Sequence, residues 1–200
     1  MNHTPKTVKK RSRDPEAKKA VILAAALKEF AQYGFAGARA DRIATMADVS
    51  VGTIFKIFVD KKILANAVFE NCIQLIQSKL APVLQSELDT REAFNAMWGV
   101  YVQLIFQETD CLFFFEYQPT SAFLDQKNRV ALTGLRENLS KWIARSQDAG
   151  TFKKASSESL RAIAIGSLMR ILREYVDGNT TPTKSKLIEM RELVWEAIST

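Results

Sequence analysis

Residues 41–58 hold the groups best suited to act on another molecule. Val51, Gly52 and Thr53 open a short helix of about 51–57 that Ser50 can cap. Their side chains and open amides then face outward, and Gly52 lets a foreign backbone come close. Lys56, one turn on from Gly52, can reach a phosphate or a guanine edge. Thr53, Phe55, Lys56 and Ile57 are expected on the solvent face. Arg39 and Arg42 flank the helix before, where they suit phosphate contacts or serve as plain surface charge. The chemistry on offer is contact with duplex DNA by a short helix set in the major groove.

Other chemistries lack their parts. His3 is the one histidine, and the chain offers no metal cluster, no phosphate-cradling glycine loop and no nucleophile–base pair. No catalytic residue, metal or cofactor is expected, and the protein should not be an enzyme. Cys72 and Cys111 stand far apart without a C-x-x-C, which fits a reducing compartment. A thiol switch and plain apolar packing both remain open for them. No apolar run approaches a membrane span and no leader-like segment precedes residue 20, so a cytoplasmic protein without membrane contact is expected.

Charge points to the same stretch. Residues 1–62 hold 13 Lys+Arg against 6 Asp+Glu, whereas residues 63–200 hold 15 against 16. The net +6 therefore lies wholly in the first third, as expected for one segment that meets a polyanion. Residues 1–13 read as a basic mobile arm.

The elements that must position these groups are helices. Asp14-Pro15-Glu16 is a helix start, and Gly34-Phe35 a helix end, giving a first helix of about 15–33. Helix two spans about 40–46. Asp60 can cap a fourth helix reaching Leu80 and stopping before Pro82. Further helices are expected over 90–107, 110–118 (ended by Pro119), 121–148, 156–177 and 183–199. No β-alternation of useful length is present. The fold is expected to be all-α with about nine helices.

Residues 15–68 resemble the DNA-binding domain of the TetR/AcrR transcriptional regulators. The resemblance is carried by Ile22-Leu23-Ala24-Ala25-Ala26-Leu27, Phe30, Gly34-Phe35, Ile43-Ala44, Val49-Ser50-Val51-Gly52-Thr53-Ile54, Phe58 and Lys61 before Leu64. It implies an N-terminal three-helix, homeodomain-like helix-turn-helix domain over 14–60 and a larger helical effector-binding and dimerisation domain over 61–200. Lys61 would pair with phosphate, as the matching lysine does in the family. Phe55 stands where the family usually has Tyr, Ile57 where His or Tyr is common, and Asp48 where a turn glycine is usual. Asp tolerates the left-handed conformation better than most residues, so the turn should survive. Phe55 and Ile57 are then expected to touch thymine methyls rather than phosphate.

In the larger domain, residues 94–123 hold nine of the 19 aromatics. Phe94, Trp98, Tyr101, Phe106, Phe114, Tyr117 and Phe123 either fill a core or line a pocket for an apolar or aromatic small molecule. Glu116 is either solvent-facing or the counter-charge for a cationic ligand held on aromatic faces. Arg129 and Arg136 suit an acidic ligand instead. Leu160, Ile163, Ala164, Ser167, Leu168 and Ile171 form one apolar stripe, and Leu187, Met190 and Val194 a second. Each stripe either closes the chain's own core or, as the resemblance implies, forms a two-fold dimer interface that matches a palindromic operator. The expected function is a ligand-responsive transcriptional regulator, most simply a repressor. The alternative is a DNA-binding structural or nucleoid factor of the same fold without an effector.

Overall fold

The computed structural model describes residues 14–117 and 123–200. Nine helices are present among them: α1 (Pro15–Gly37), α2 (Ala40–Met46), α3 (Val51–Phe58), α4 (Lys61–Leu84), α5 (Thr90–Gln107), α6 (Thr109–Tyr117), α7 (Gln126–Asp148), α8 (Ser157–Val176) and α9 (Lys184–Ile198). No strand forms among them; Phe152 and Ser199 make one isolated antiparallel bridge. The basic arm and Pro119 lie outside the described residues.

Local signals set the helix starts. Asp14, Ser50, Asp60, Asp89, Asp125, Ser156 and Thr183 each accept a first-turn backbone N–H through the side chain. Each satisfies one of the donors that a helix start leaves unpaired. Asp89 and Glu92 complete a reciprocal capping box on α5.

Three helix ends depart from expectation. Gly34 takes φ +69, as a helix-ending glycine should, but α1 resumes after this kink and runs to Gly37. Helix α4 continues through Pro82 to Leu84. Pro82 sits in the last turn, where its missing N–H forfeits a single bond and the chain is about to leave the helix. Helix α7 begins at Gln126, because Asp125 caps it there and Phe123 and Leu124 are pulled into the interior.

The α2–α3 turn is closed by Asp48 at φ +51, the left-handed conformation expected of it. The α3–α4 joint was not anticipated. Val59 takes φ 60 and ψ −55, and the Asp60 N–H donates to the Phe58 carbonyl at 2.5 Å. This is a γ-turn of the strained hand, built on an exposed β-branched residue.

A single apolar core runs through the described residues. Phe30 and Phe35 of α1, Phe69 of α4, Phe114 of α6 and Phe123 pack ring on ring at centroid distances of 5.2–6.3 Å. The first helix is thereby welded to the body. A second aromatic group, Phe94, Trp98, Trp142, Phe152 and Trp195, fills the space between α5, α7 and α9.

Candidate nucleic-acid interface

The exposed end of α3 is built from its cap. Ser50 Oγ accepts the Thr53 N–H at 3.2 Å and lies 2.9 Å from Thr53 Oγ1. Ile54 and Phe58 anchor the opposite face in the core. Gly52 is exposed, and a Cβ built there would meet only Ser50 Oγ, at 3.9 Å. The fold itself therefore does not need glycine at 52. Lys56 projects to solvent with no ion pair or hydrogen bond among the described residues. Phe55 is 38% exposed. Val51, Thr53 and Ile57 differ from expectation: all three are half-buried, and Val51 and Ile57 pack against the core, which removes most of Ile57 from the outer face.

Two expected phosphate ligands have other work. Glu29 of α1 is 2% exposed. It accepts the Arg39 N–H at 2.9 Å and Arg42 Nε at 2.7 Å. Arg42 also donates to the Gly37 carbonyl at 2.9 Å and lies 4.0 Å over the Tyr33 ring. Its guanidinium pins α2 to α1 and neutralises a buried carboxylate, which water would otherwise have to solvate. Lys61 Nζ donates to the carbonyls of Ala36 and Ala38 at 3.3 and 3.2 Å and lies 5.0 Å over Phe35. It staples the start of α4 to the α1–α2 link. Arg39 pairs in solvent with Asp41, which holds that carboxyl below its ordinary range.

Sequence reasoning missed Glu29 and Tyr33. The available signal was Glu29 itself, a carboxylate four residues after Ala25 and three after Ala26 on the buried side of α1. The structure brings Ser50, Gly52, Thr53, Phe55 and Lys56 together at one end of α3, and assigns Arg42 and Lys61 to holding that end in place.

In the body the aromatic set divides. Phe94, Trp98 and Tyr101 line an apolar cavity of about 60 Å³ between α5, α7 and α8. Phe114 and Phe123 do not: both are fully buried in the ring stack around Phe30 and Phe69. Phe106 is 40% exposed and packs edge-on against Tyr175. The Tyr117 hydroxyl donates to the Met169 carbonyl, which ties α6 to α8. Glu116 is half-buried and lines a separate cavity of about 490 Å³ with Arg136. Burial pushes its carboxyl up to about 7, with Arg136 pulling the other way. Arg129 is exposed and lines neither cavity.

The expected dimer stripes divide in the same way. Leu160, Leu168, Leu187 and Val194 are buried within the protomer. Ala164, Ser167, Ile171 and Met190 are half-buried, and Ile163 is exposed. The apolar side chains left uncovered on α8 and α9 include Ile163, Val176, Ile188 and Leu193.

A network of buried amides joins the start of α4 to the start of α7. Asn66, in the second turn of α4, donates to the Phe123 carbonyl at 2.8 Å and accepts the Asp125 N–H at 2.8 Å. Asn128 donates to the Asn66 carbonyl and to its Oδ1, both at 3.1 Å. Any tilt of the first turns of α4 is therefore shared with the start of α7.

Comparison with known proteins agrees with this architecture. Residues 22–68 match the family model described as bacterial regulatory proteins, tetR family. Residues 69–200 match the model described as the tetracyclin repressor-like C-terminal domain. The HTH-type transcriptional regulator RutR of Escherichia coli (strain K12) is 44% identical over 78 residues, 39% of this chain and 35% of that protein. The HTH-type transcriptional repressor SCO4008 of Streptomyces coelicolor is 48% identical over 59 residues, 30% and 31% of the two chains. The chain thus spans about a third of the length of these curated relatives. Among solved structures, a TetR family transcription regulator from Marinobacter aquaeolei VT8 superposes with TM-score 0.78 at 18% identity, covering 92% of this chain and 96% of that one. The ketosteroid transcriptional regulator KstR2 of Mycobacterium tuberculosis superposes with TM-score 0.73 at 14% identity, covering 96% and 97%. At these identities the superpositions speak for the fold alone.

Proposed function

The chain belongs to the TetR family of transcriptional regulators, and from that premise we propose that it is a repressor that binds a two-fold operator as a dimer and is released by a small molecule. The observation that carries the DNA-reading part is the free end of α3. Its capped first turn, a glycine that the fold does not require and an unpartnered lysine all face one way. A helix so presented enters the major groove by its N-terminal residues, with Ser50, Gly52 and Thr53 near the backbone and Lys56 and Phe55 near base edges. Arg39 contributes charge at the flank, and Arg42 and Lys61 act by holding α2, α3 and α4 in register.

Release is the work of the body. DNA-bound and DNA-free states differ in the spacing of the two reading heads. A ligand that prefers the second arrangement shifts the balance if its differential affinity reaches roughly 1–3 kcal/mol. Helix α4 is the connector, since it carries Lys61 at one end and Asn66 beside the α7 cap.

Selection of sites from a random DNA pool, followed by affinity measured against salt, tests the reading. A two-fold site should emerge, and log affinity should fall linearly with log salt. Deleting residues 1–13 should make that slope shallower. Gly52→Ala should keep or raise thermal stability, because alanine favours helix by up to about 1 kcal/mol. It should still weaken operator binding, because the added methyl faces the DNA. Unchanged binding by Gly52→Ala removes α3 from the interface.

A further inference from the structure

Two cavities of the helical body share a wall. The inner one, about 60 Å³, is apolar and includes Phe94, Trp98 and Leu168 in its lining. The outer one, about 490 Å³, carries Glu116, Arg136 and, from the first turn of α8, Glu158. That size falls within the usual range for small-molecule sites, roughly 300–1,000 Å³. Tyr101, Leu139, Arg161 and Ile165 line both. Arg161 is therefore the charged side chain at the junction.

Three features here are left over from packing. Trp98 is buried, and its Nε1–H has no hydrogen-bond partner among the described residues. Buried donors are ordinarily paired, so the packing of the described residues leaves this one over. Arg136 and Arg161 enter no ion pair among the described residues; Arg161 spends Nε on its own helix, on the Ser157 carbonyl at 3.3 Å. Glu116 stands beside them with a carboxyl that burial makes a weak acid, so near neutral pH it is available as a donor.

Charge decides between ligand classes. A carboxylate in the outer cavity meets two guanidinium groups and a carboxyl able to donate a hydrogen bond. An ammonium there meets the same two guanidinium groups, of which Arg161 is half-buried and Arg136, like Glu158, exposed, and a Glu116 carboxyl that burial makes reluctant to ionise. We propose that the body binds an organic carboxylate with a short apolar or aryl body, its carboxylate facing Arg136 and Arg161 and its body lying in the outer cavity along the shared wall, on the side nearest Trp98. This rests on the ligand-responsive reading above and gives its effector a charge class.

Binding to the full chain without DNA, followed by calorimetry and tryptophan fluorescence, tests it. Trp98 and Trp142 both line the inner cavity, so occupancy should change their emission. The probes are octanoate and 3-phenylpropionate, their primary amides, and octylamine. The acids should bind about tenfold or more tightly than the amides, as expected for charge-assisted hydrogen bonds. Arg161→Gln and Arg136→Gln should each cut acid affinity about tenfold while leaving amide affinity unchanged, which also shows that the variants are folded. Amides or octylamine binding as tightly as the acids, no probe binding, or acid affinity indifferent to both arginines would overturn the proposal. A DNA-release assay with the same probes separates the two claims. Acids that bind without releasing DNA leave the charge class standing and remove the effector reading; release by neutral molecules alone does the reverse.

Discussion

Arg42 and Lys56 show how little residue type alone says about role. Both are cations of the α2–α3 unit, yet Arg42 neutralises a carboxylate that is 2% exposed while Lys56 makes no hydrogen bond or ion pair among the described residues. Their alanine variants should therefore separate. Arg42→Ala strands Glu29 and should cost about 2–3 kcal/mol, below the range for a fully buried pair because the arginine is partly solvated. Lys56→Ala should leave the melting temperature unchanged and make the salt dependence of DNA binding shallower by about one phosphate contact. Chemical denaturation and binding titrations at three salt concentrations check both. Val59 offers a test of the opposite sign. Its φ of 60 strains a side chain that is 69% exposed and packs against little. Val59→Gly should raise stability by about 1 kcal/mol by relieving that strain, and an unchanged unfolding midpoint would mean that the turn is relaxed.

At the level of helices, what was legible in the sequence was what a few neighbouring residues decide. Asp14, Ser50 and Asp60 cap because a short acceptor precedes an apolar run, and Asp48 turns left-handed because its own side chain tolerates it. What was not legible turns on position within an element or on distant elements. Helix α4 passes Pro82 because its last turn loses only one bond there. Phe114 fills the α1–α4 seam rather than a pocket, and α1 lies some eighty residues away in the chain. Lys61 answers to carbonyls of residues 36 and 38, which no spacing rule connects to it. Glu116 belongs to the same class, since its setting is made jointly by α5, α6, α7 and α8 through Tyr101, Arg136, Glu158 and Arg161. Its carboxyl titrates near 7 in the fold against 4.5 when exposed. Below pH 4.5 both states hold the proton and the site costs nothing. As pH rises to about 7 the unfolded chain ionises first, so stability falls by about 3 kcal/mol and then levels. Glu116→Gln should remove that decline, so its advantage over the wild type in urea melts should be absent at pH 4 and full at pH 8. An advantage independent of pH would place the carboxyl in water.

The proposed dimer has to join two reading heads, and the packing of the protomer limits how. The Phe30–Phe114–Phe123 stack makes the first helix part of the body, so a head moves only when α4 and α6 move with it. In that proposed dimer two such bodies meet on a face that the protomer leaves open. That face is narrower than the apolar stripes suggest, because Leu160, Leu168, Leu187 and Val194 are consumed within the chain. What remains on α8 and α9 centres on Ile163, Ile188 and Leu193, the last 58% exposed. Two helices from each copy could bury the roughly 1,200–2,000 Å² that a stable interface needs, with the open apolar side chains at its centre. Leu193→Glu puts a charge at that centre without disturbing the protomer core. Light scattering at micromolar concentration should give a dimer for the wild type and a monomer for Leu193→Glu, with thermal unfolding still cooperative. Operator affinity should then fall steeply while binding to an isolated half-site stays the same, because the reading helix is intact and only the linkage between heads is lost. A wild-type monomer, or a Leu193→Glu protein that remains dimeric, would move the interface away from α8 and α9.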